Sequence, residues 1–171
     1  GLVGEVQPVR AATYVYTQTP LGDITDDGTI PSGSGYCGET GYSNTRYFLV
    51  NDNFTVTDLN VVFSATHGNR GEIQVTLTSP ADPYGANVSA LIVPTSGDGN
   101  SNYDIRLDAD ATGAFNDGNA DTVGGTVDRS VQQTLLNNFE GINANGVWRM
   151  DICDGTASTT GTLSYASLEF T

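Results

Sequence analysis

Apolar residues alternate with polar ones along much of this chain, with the period of two that a half-buried β-strand requires. In Gly71–Ser79, the apolar residues Ile73, Val75 and Leu77 are separated by polar neighbours, which predicts a strand with one buried face and one wet face. Similar alternation or denser apolar runs occur in Thr13–Thr17, Thr45–Val50, Val88–Val93, Tyr103–Leu107 and Gly146–Cys153. Such a set of short strands indicates an all-β protein.

The alternation changes phase at two places. In a regular strand, Val56 and Leu59 would face opposite sides although both are apolar. The same is true of Tyr165 and Leu168 near the C-terminus. A shift of one residue moves every later side chain to the other face, so we expect a β-bulge or a strand bend at each place.

At most one short helix is expected. Ser130–Gln133 resembles a capping box, and Val131, Leu135 and Leu136 would share one side of the helix that follows. This helix would have two turns at most before Gly141. The remaining connections are rich in Gly, Asn and Asp, as in a β-sandwich.

The charge balance excludes several classes of partner. The 171 residues carry Lys+Arg 6 against Asp+Glu 20, a net charge of −14, and all the cations are arginines. A basic patch for nucleic acid or for an anionic membrane surface is therefore excluded, and no apolar run is long enough for a transmembrane helix. Residues 1–10 lack the pattern of a signal peptide, so we expect either a mature single domain or a part of a longer protein. We also expect a monomer.

Two cysteines, Cys37 and Cys153, are far apart and form no C-x-x-C pair, which leaves a disulfide or two buried thiols. The lysine-free, acidic and Gly/Asn/Thr/Ser-rich composition is typical of extracellular proteins and favours secretion and the disulfide. Closing a loop of about a hundred residues would contribute on the order of 3–5 kcal/mol.

No catalytic residues are predicted. His67 is the one histidine, lies between two predicted strands without a G-x-S-x-G motif, and is expected to be a loop histidine that bonds to the backbone. A lysine nucleophile is impossible, and no pair of carboxylates has a spacing that defines a glycosidase.

The acidic region Thr95–Gly125 is the candidate metal site, with Ca²⁺ as the expected cofactor. Ca²⁺ prefers six to eight oxygen ligands on a flexible loop, and crowded carboxylates repel one another unless a cation neutralises them. The alternative is an acidic loop in contact with solvent. The candidate ligands are Asp98, Asp104, Asp108, Asp110, Asp117 and Asp121.

Several segments in order resemble the P domain (P/Homo B domain) of proprotein convertases and bacterial subtilisin-like secreted serine proteases. They are Val56–Val61, His67–Pro80, Phe115–Asp117, Phe139–Ile152, Asp154 and Gly161–Leu163. That family has a His-x-x-x-Gly-Asp-Leu-x-x-x-Leu-x-Ser-Pro hairpin, an Asp-Glu-Ala loop and a Gly-x-Trp-x-Leu-x-Val-x-Asp ending. Here Gly-Asp-Leu reads Gly71-Glu72-Ile73, and Asp117 alone carries over from the acidic loop.

The resemblance implies a jelly-roll β-sandwich of the galactose-binding-like type over residues 45–171, with residues 1–44 as an N-terminal extension packed on it. It also implies a non-catalytic accessory domain that supports folding and stability of a subtilisin-like catalytic domain in the same polypeptide, with influence on calcium dependence. A protein or polysaccharide substrate is a further expected partner.

A second hypothesis is a jelly-roll binding module for carbohydrate or a structural protein, with an aromatic platform drawn from Tyr36, Tyr42, Tyr84 and Tyr103. An independent enzyme is the third hypothesis, and the lack of a catalytic set disfavours it.

Overall fold

The computed structural model describes residues 13–18, 22–24, 44–124, 127–154 and 159–171. The strands are β1 Tyr14–Gln18, β2 Gly22–Ile24, β3 Asn44–Val50, β4 Leu59–His67, β5 Ile73–Thr78, β6 Ser89–Val93, β7 Tyr103–Asp108, β8 Arg129–Gln132, β9 Gly146–Asp154 and β10 Gly161–Phe170. Two 3₁₀ helices, η1 Arg70–Glu72 and η2 Thr134–Phe139, complete the described elements. No helix among these residues is long and apolar enough to cross a membrane.

The strands form two sheets, and the all-β sandwich that the sequence predicts is confirmed. One sheet has the order β1-β10-β4-β7-β8, with β2 also paired to β10, and the other has the order β3-β9-β5-β6. Both β1 and β2 lie within the predicted extension, residues 1–44, and both add to the sheet through β10. Most of the rest of that extension lies outside the described residues.

The core fills the space between the sheets. Trp148 on β9 is fully buried, with its ring centroid 5.4 Å from that of Phe139 and 5.2 Å from that of Phe170. Its indole N–H donates to the Ala144 carbonyl at 2.8 Å, so the one polar atom of the ring is satisfied. The aromatic residues thus join η2, β9 and β10.

The predicted strand at Gly71–Ser79 needs two corrections. Its first residues belong to η1, and β5 begins at Ile73. Its polar face is not wet: Gln74 and Thr76 are 5% and 9% exposed, because β5 lies inside its sheet between β9 and β6.

The sequence prediction placed the start of the helix too early in the chain. Ser130 lies within β8, whose residues pair in parallel with β7, so it cannot cap a helix. The helical turn begins later and is 3₁₀, and the Gln133 side chain caps it by accepting from the Leu135 N–H at 3.1 Å. Pairing with β7 outweighed the local capping signal.

The two phase changes have different origins. In β10 the register against β4 shifts between Leu163 and Tyr165, which confirms a bulge near the predicted place. Before β4 the chain is interrupted instead: the N–H groups of Thr57 and Asp58 both donate to the Thr171 carbonyl, at 2.9 and 3.1 Å. That part of the prediction was wrong, since β4 begins only at Leu59.

The acidic region Thr95–Gly125 is not a single loop, because β7 runs through its middle. Since β8 is parallel to β7, the connection between them must return to the end of the sheet where β7 begins. Ala65 near the end of β4 pairs with Tyr103 at the start of β7, so the β4–β5 connection lies at the same end. This topology brings both flanks of the acidic region to Arg70.

Candidate functional site

Arg70 is the centre of the site. It is the first residue of η1 and is 0% exposed. A guanidinium so deeply buried must be paired with anions, because removing its charge from water is costly. All three of its nitrogens donate to aspartates: Nε to Asp98 Oδ2 at 2.6 Å, Nη1 to Asp121 Oδ1 at 2.9 Å and Nη2 to Asp117 Oδ1 at 2.9 Å.

The backbone around Arg70 is joined directly to the segment before β7. Arg70 N donates to the Asn100 carbonyl at 2.8 Å, and Gly71 N donates to the Asp98 carbonyl at 3.0 Å. A Cβ on Gly71 would lie 2.5 Å from the Asp98 carbonyl oxygen and 2.6 Å from that of Ser96. Glycine is therefore required for this close approach of the two backbones.

A second arginine shares the carboxylates. Arg129, at the start of β8, donates from Nε to Asp121 Oδ1 at 2.8 Å and lies 3.6 Å from Asp117 Oδ2. Its Nη2 donates to the Phe115 carbonyl at 2.9 Å, which holds the returning connection in place. Two positive and three negative charges therefore meet in one network, and the guanidinium groups nearly neutralise the aspartates.

The network favours the ionised forms of Asp98 and Asp117. Burial alone would raise the pKa of Asp98, but the hydrogen bonds from the Asn100 N–H and from Arg70 outweigh it and hold that pKa below its ordinary value. The pKa of Asp117 is lowered in the same way, since the Asn119 N–H and Arg70 outweigh the effect of burial. The same ion pairs raise the pKa of Arg70 against the lowering effect of burial.

Tyr103 forms the apolar floor of the network. The Arg70 guanidinium carbon lies 5.3 Å from the centroid of its ring, within the range of a cation–π contact. The tyrosine is fully buried, and burial raises the pKa of its hydroxyl to about 12. Tyr103 is therefore unavailable as a platform for a ligand.

Of the other tyrosines of the predicted aromatic platform, Tyr84 is 95% exposed, whereas Tyr36 and Tyr42 lie outside the described residues. Within the described ranges, Tyr84 is therefore the one member of the proposed platform whose ring a ligand can contact.

The six candidate calcium ligands separate into different surroundings. Asp98, Asp117 and Asp121 converge on Arg70. An arginine already donates to Asp98 Oδ2 and to Asp121 Oδ1, and its positive charge repels a cation, so these two residues do not fit a calcium site unless the arginine is displaced.

The other three candidates lie elsewhere. Asp104 is 4% exposed, and its Oδ2 has no hydrogen-bond partner. Burial, followed by the negative charges of Asp128 and Asp121, raises the pKa of Asp104. Asp108 is the last residue of β7, and Asp110 lies in the turn after it. Burial, followed by the negative charges of these two residues, raises the pKa of Asp58. The calcium assignment stays a prediction.

His67 differs from its predicted setting. It is the last residue of β4, is 3% exposed, and has Nε2 2.8 Å from Asp154 Oδ2. The expected backbone contact is present, because Nδ1 lies 2.8 Å from the Asn69 carbonyl oxygen. The pairing with Asp154 was missed. Cys37 lies outside the described residues, so the Cys37–Cys153 disulfide stays a prediction.

Sequence reasoning also missed Arg70 and Arg129. One available signal was the scarcity of arginines: with Lys+Arg 6 against Asp+Glu 20, each arginine is expected to pair with one or more carboxylates. The sequence does not show which carboxylates these are, since the partners of Arg70 are 28, 47 and 51 residues away.

Comparison with known families decides the family. The model of the proprotein convertase P-domain matches residues 56–170. This chain belongs to the proprotein convertase P-domain family. The match covers the segment from just before β4 to the end of β10 and includes Arg70, Arg129 and their aspartates. A search of curated proteins found no match.

Two solved structures share the fold of this P domain. One is the serine protease of Aeromonas sobria in complex with its chaperone, at 16% identity and a TM-score of 0.55, with 96% of this chain and 28% of that chain covered. The other is the Aeromonas sobria serine protease, at 15% identity and a TM-score of 0.53, with 97% and 28% covered. This chain therefore spans under a third of the length of those proteins.

Proposed function

We propose that this P domain is the non-catalytic accessory domain of a secreted subtilisin-like serine endopeptidase, where it supports the folding and stability of the catalytic domain. The observation that carries the proposal is the P-domain match over residues 56–170. The shared fold with the serine protease of Aeromonas sobria supports it, because the likeness covers nearly all of this chain but a minor share of that protein.

The chemistry of the site supports a structural role. Arg70 and its three aspartates are hydrogen-bonded to one another, and His67 is buried between Asn69 and Asp154. Groups held this way fix the loops at one end of the sandwich rather than present a nucleophile to a substrate. A rigid end of this kind suits a surface on which another domain folds.

The test compares the parent protease with and without residues 1–171, and with Arg70→Met in the domain. We expect the yield of soluble and active enzyme to be lower for the truncated protein and for the Arg70→Met protein than for the wild type. Arg106→Gln is the matched control, because Arg106 pairs with Glu169 while 36% of its side chain is exposed. A truncated protein with wild-type yield, activity and melting temperature would refute the supporting role.

The isolated domain is expected to have no peptidase activity. Casein and peptide substrates should remain intact in the presence of pure protein. Turnover that disappears in His67→Ala would instead show an independent enzyme.

Calcium stabilisation is a further part of the proposal. Asp108 and Asp110 support it, because their negative charges add to burial in raising the pKa of Asp58. We expect EGTA to lower the melting temperature of the domain, and Asp110→Asn to reduce that shift. Asp117→Asn should preserve the shift, because Asp117 pairs with Arg70. An unchanged melting curve in EGTA would contradict calcium binding.

A further inference from the structure

A second polar cluster joins the two sheets, and its chemistry goes beyond the structural role proposed above. His67 ends β4 in one sheet, Asp154 ends β9 in the other, and Glu72 ends η1 between them. One ring nitrogen of His67 and one carboxylate oxygen each of Glu72 and Asp154 lie within 4.8 Å of one another. His67 and Asp154 are buried, whereas Glu72 is partly exposed and leaves an approach from solvent.

Both nitrogens of the His67 ring are in hydrogen-bond contact with neighbouring groups. Nδ1 lies 2.8 Å from the Asn69 carbonyl oxygen, and Nε2 lies 2.8 Å from Asp154 Oδ2, so both ring nitrogens face acceptors. A neutral imidazole has only one proton to donate. When that proton is on Nδ1 and bonds to the carbonyl, the Nε2 lone pair faces a carboxylate oxygen, and a proton or a metal ion must lie between them.

A longer contact offers the alternative without a cation. In the other tautomer the Asn69 N–H donates to Nδ1 at 3.2 Å, and Nε2–H donates to Asp154. The contact with the carbonyl is shorter, at 2.8 Å against 3.2 Å, and the metal-site proposal uses the tautomer with the proton on Nδ1. A histidine whose Nδ1–H bonds to a backbone carbonyl is also oriented as metal-binding histidines are.

We propose that His67, Glu72 and Asp154 form a three-ligand site for Zn²⁺, with the remaining coordination position taken by water. One imidazole and two carboxylates suit Zn²⁺, whereas Ca²⁺ prefers oxygen ligands alone. Tetrahedral binding of one Zn²⁺ at about 2.0–2.2 Å requires Nε2 and Oδ2 to separate from 2.8 Å to roughly 3.3–3.5 Å. Two carboxylates beside a neutral ring, on a chain of net charge −14, attract a divalent cation.

Neighbouring groups hold these ligands in place. The Asn69 side-chain amide donates to Glu72 Oε1 at 2.8 Å, and the Thr159 hydroxyl donates to Oε2 at 2.5 Å. A Cβ on Gly161 would lie 2.6 Å from His67 Cδ2, so the chain packs closely against the imidazole. Such contacts fix the orientation of ligands before the metal binds.

The proposal is tested by titrating the metal-stripped 171-residue chain with Zn²⁺ in a calorimeter, and with Co²⁺ in an absorption spectrometer. We expect one Zn²⁺ per chain and a rise of several degrees in melting temperature at a hundredfold excess over Kd. Bound Co²⁺ should give visible ligand-field bands without a sulfur-to-cobalt charge-transfer band, which separates this site from the cysteines.

Glu72→Gln is the main variant, because Glu72 is partly exposed and its loss is the least disruptive of the three. It should weaken Zn²⁺ binding at least tenfold. Glu140→Gln, at an exposed glutamate, is the matched control and should bind as the wild type does. His67→Gln should abolish binding, and if that variant fails to fold, Glu72→Gln alone decides.

The proposal fails if the folded wild-type chain shows no Zn²⁺ heat and no Co²⁺ bands, or if Glu72→Gln binds as tightly as Glu140→Gln. It also fails if Asp117→Asn abolishes Zn²⁺ binding, because the ion would then be at the arginine network. None of these outcomes depends on the role of the domain in a protease.

Discussion

Arg70 and Asp98 form an ion pair from which water is excluded: Nε and Oδ2 are 2.6 Å apart, and the two side chains are 0% and 1% exposed. Two buried opposite charges contribute to stability only while they remain matched. The loss of either partner leaves the other charge without compensation in the interior. The arginine network should therefore respond sharply to single substitutions.

Replacing Arg70 by Met should destabilise the domain by about 3–5 kcal/mol, because the change leaves Asp98, Asp117 and Asp121 crowded around an apolar side chain. Urea unfolding at pH 7 measures the effect. Arg106→Gln removes a partly exposed pair with Glu169 and should change the free energy of unfolding by less than about 1 kcal/mol. Equal effects of the two substitutions would show that the burial of Arg70 has no energetic consequence.

Gly71→Ala should destabilise the domain by about 2 kcal/mol or more, because its methyl group would meet the Asp98 and Ser96 carbonyl oxygens at 2.5 and 2.6 Å. These atoms belong to the backbone and cannot rotate away. Gly97→Ala, in the same connection, has no atom within 4 Å of its new methyl group and should be neutral or slightly stabilising. A Gly71→Ala variant as stable as Gly97→Ala would contradict the close approach.

Asp104→Asn should stabilise the domain at pH 7 by about 1 kcal/mol, since it removes a buried charge with one unpartnered oxygen. The folded-state pKa of Asp104 is raised, so the folded state gains stability relative to the unfolded state as pH falls through that pKa. The advantage of the variant should therefore shrink toward pH 4. Asp110→Asn in EGTA is the control, and destabilisation by Asp104→Asn would argue that its carboxylate has a cation partner.

Asp98 should make stability fall in acid. Its folded-state pKa lies below its ordinary value, so near and below pH 4 the unfolded chain binds a proton that the folded state does not. The contribution of Asp98 is complete above the unfolded pKa and is lost as pH falls through the lower folded one. Free energies of unfolding between pH 5 and 2.5 should fall less steeply in Asp98→Asn, and parallel curves would contradict this assignment.

The Cys37–Cys153 disulfide is open to a direct measurement. Thiol titration of the denatured, unreduced protein should find essentially no free thiol. Two titratable thiols would contradict the predicted bond and, with it, one of the arguments for an extracellular location.

The strands could be predicted because the alternation of apolar and polar residues is visible within each segment by itself. Trp148 and its alternating neighbours show which face of β9 is buried without reference to any other strand. The burial of Gln74 was not predictable in this way, because it depends on the position of β5 between β9 and β6. The helix cap predicted at Ser130 was wrong for the same reason, since the parallel pairing of β8 with β7 decides the structure of this residue.

The site was predicted in its acids but not in its cations. The density of aspartates indicated that something positive must neutralise them, and Ca²⁺ was the expected ion. In the structure, Arg70 and Arg129 neutralise three of the six, because the return of the chain before β8 brings them together. The choice between a side-chain cation and a metal depends on topology, which no local spacing records.

The position of β10 determines the order in which the larger sheet can be completed. Residues 161–170 lie between β4 on one side and β1 and β2 on the other, although β10 is the last strand of the sequence. Among the described strands, β1 and β2 pair with β10 alone, so neither can join the sheet until β10 is in place. Deletion of residues 161–170 would remove a pairing partner of β1, β2 and β4 together, so we expect β10 to be required for the larger sheet to form.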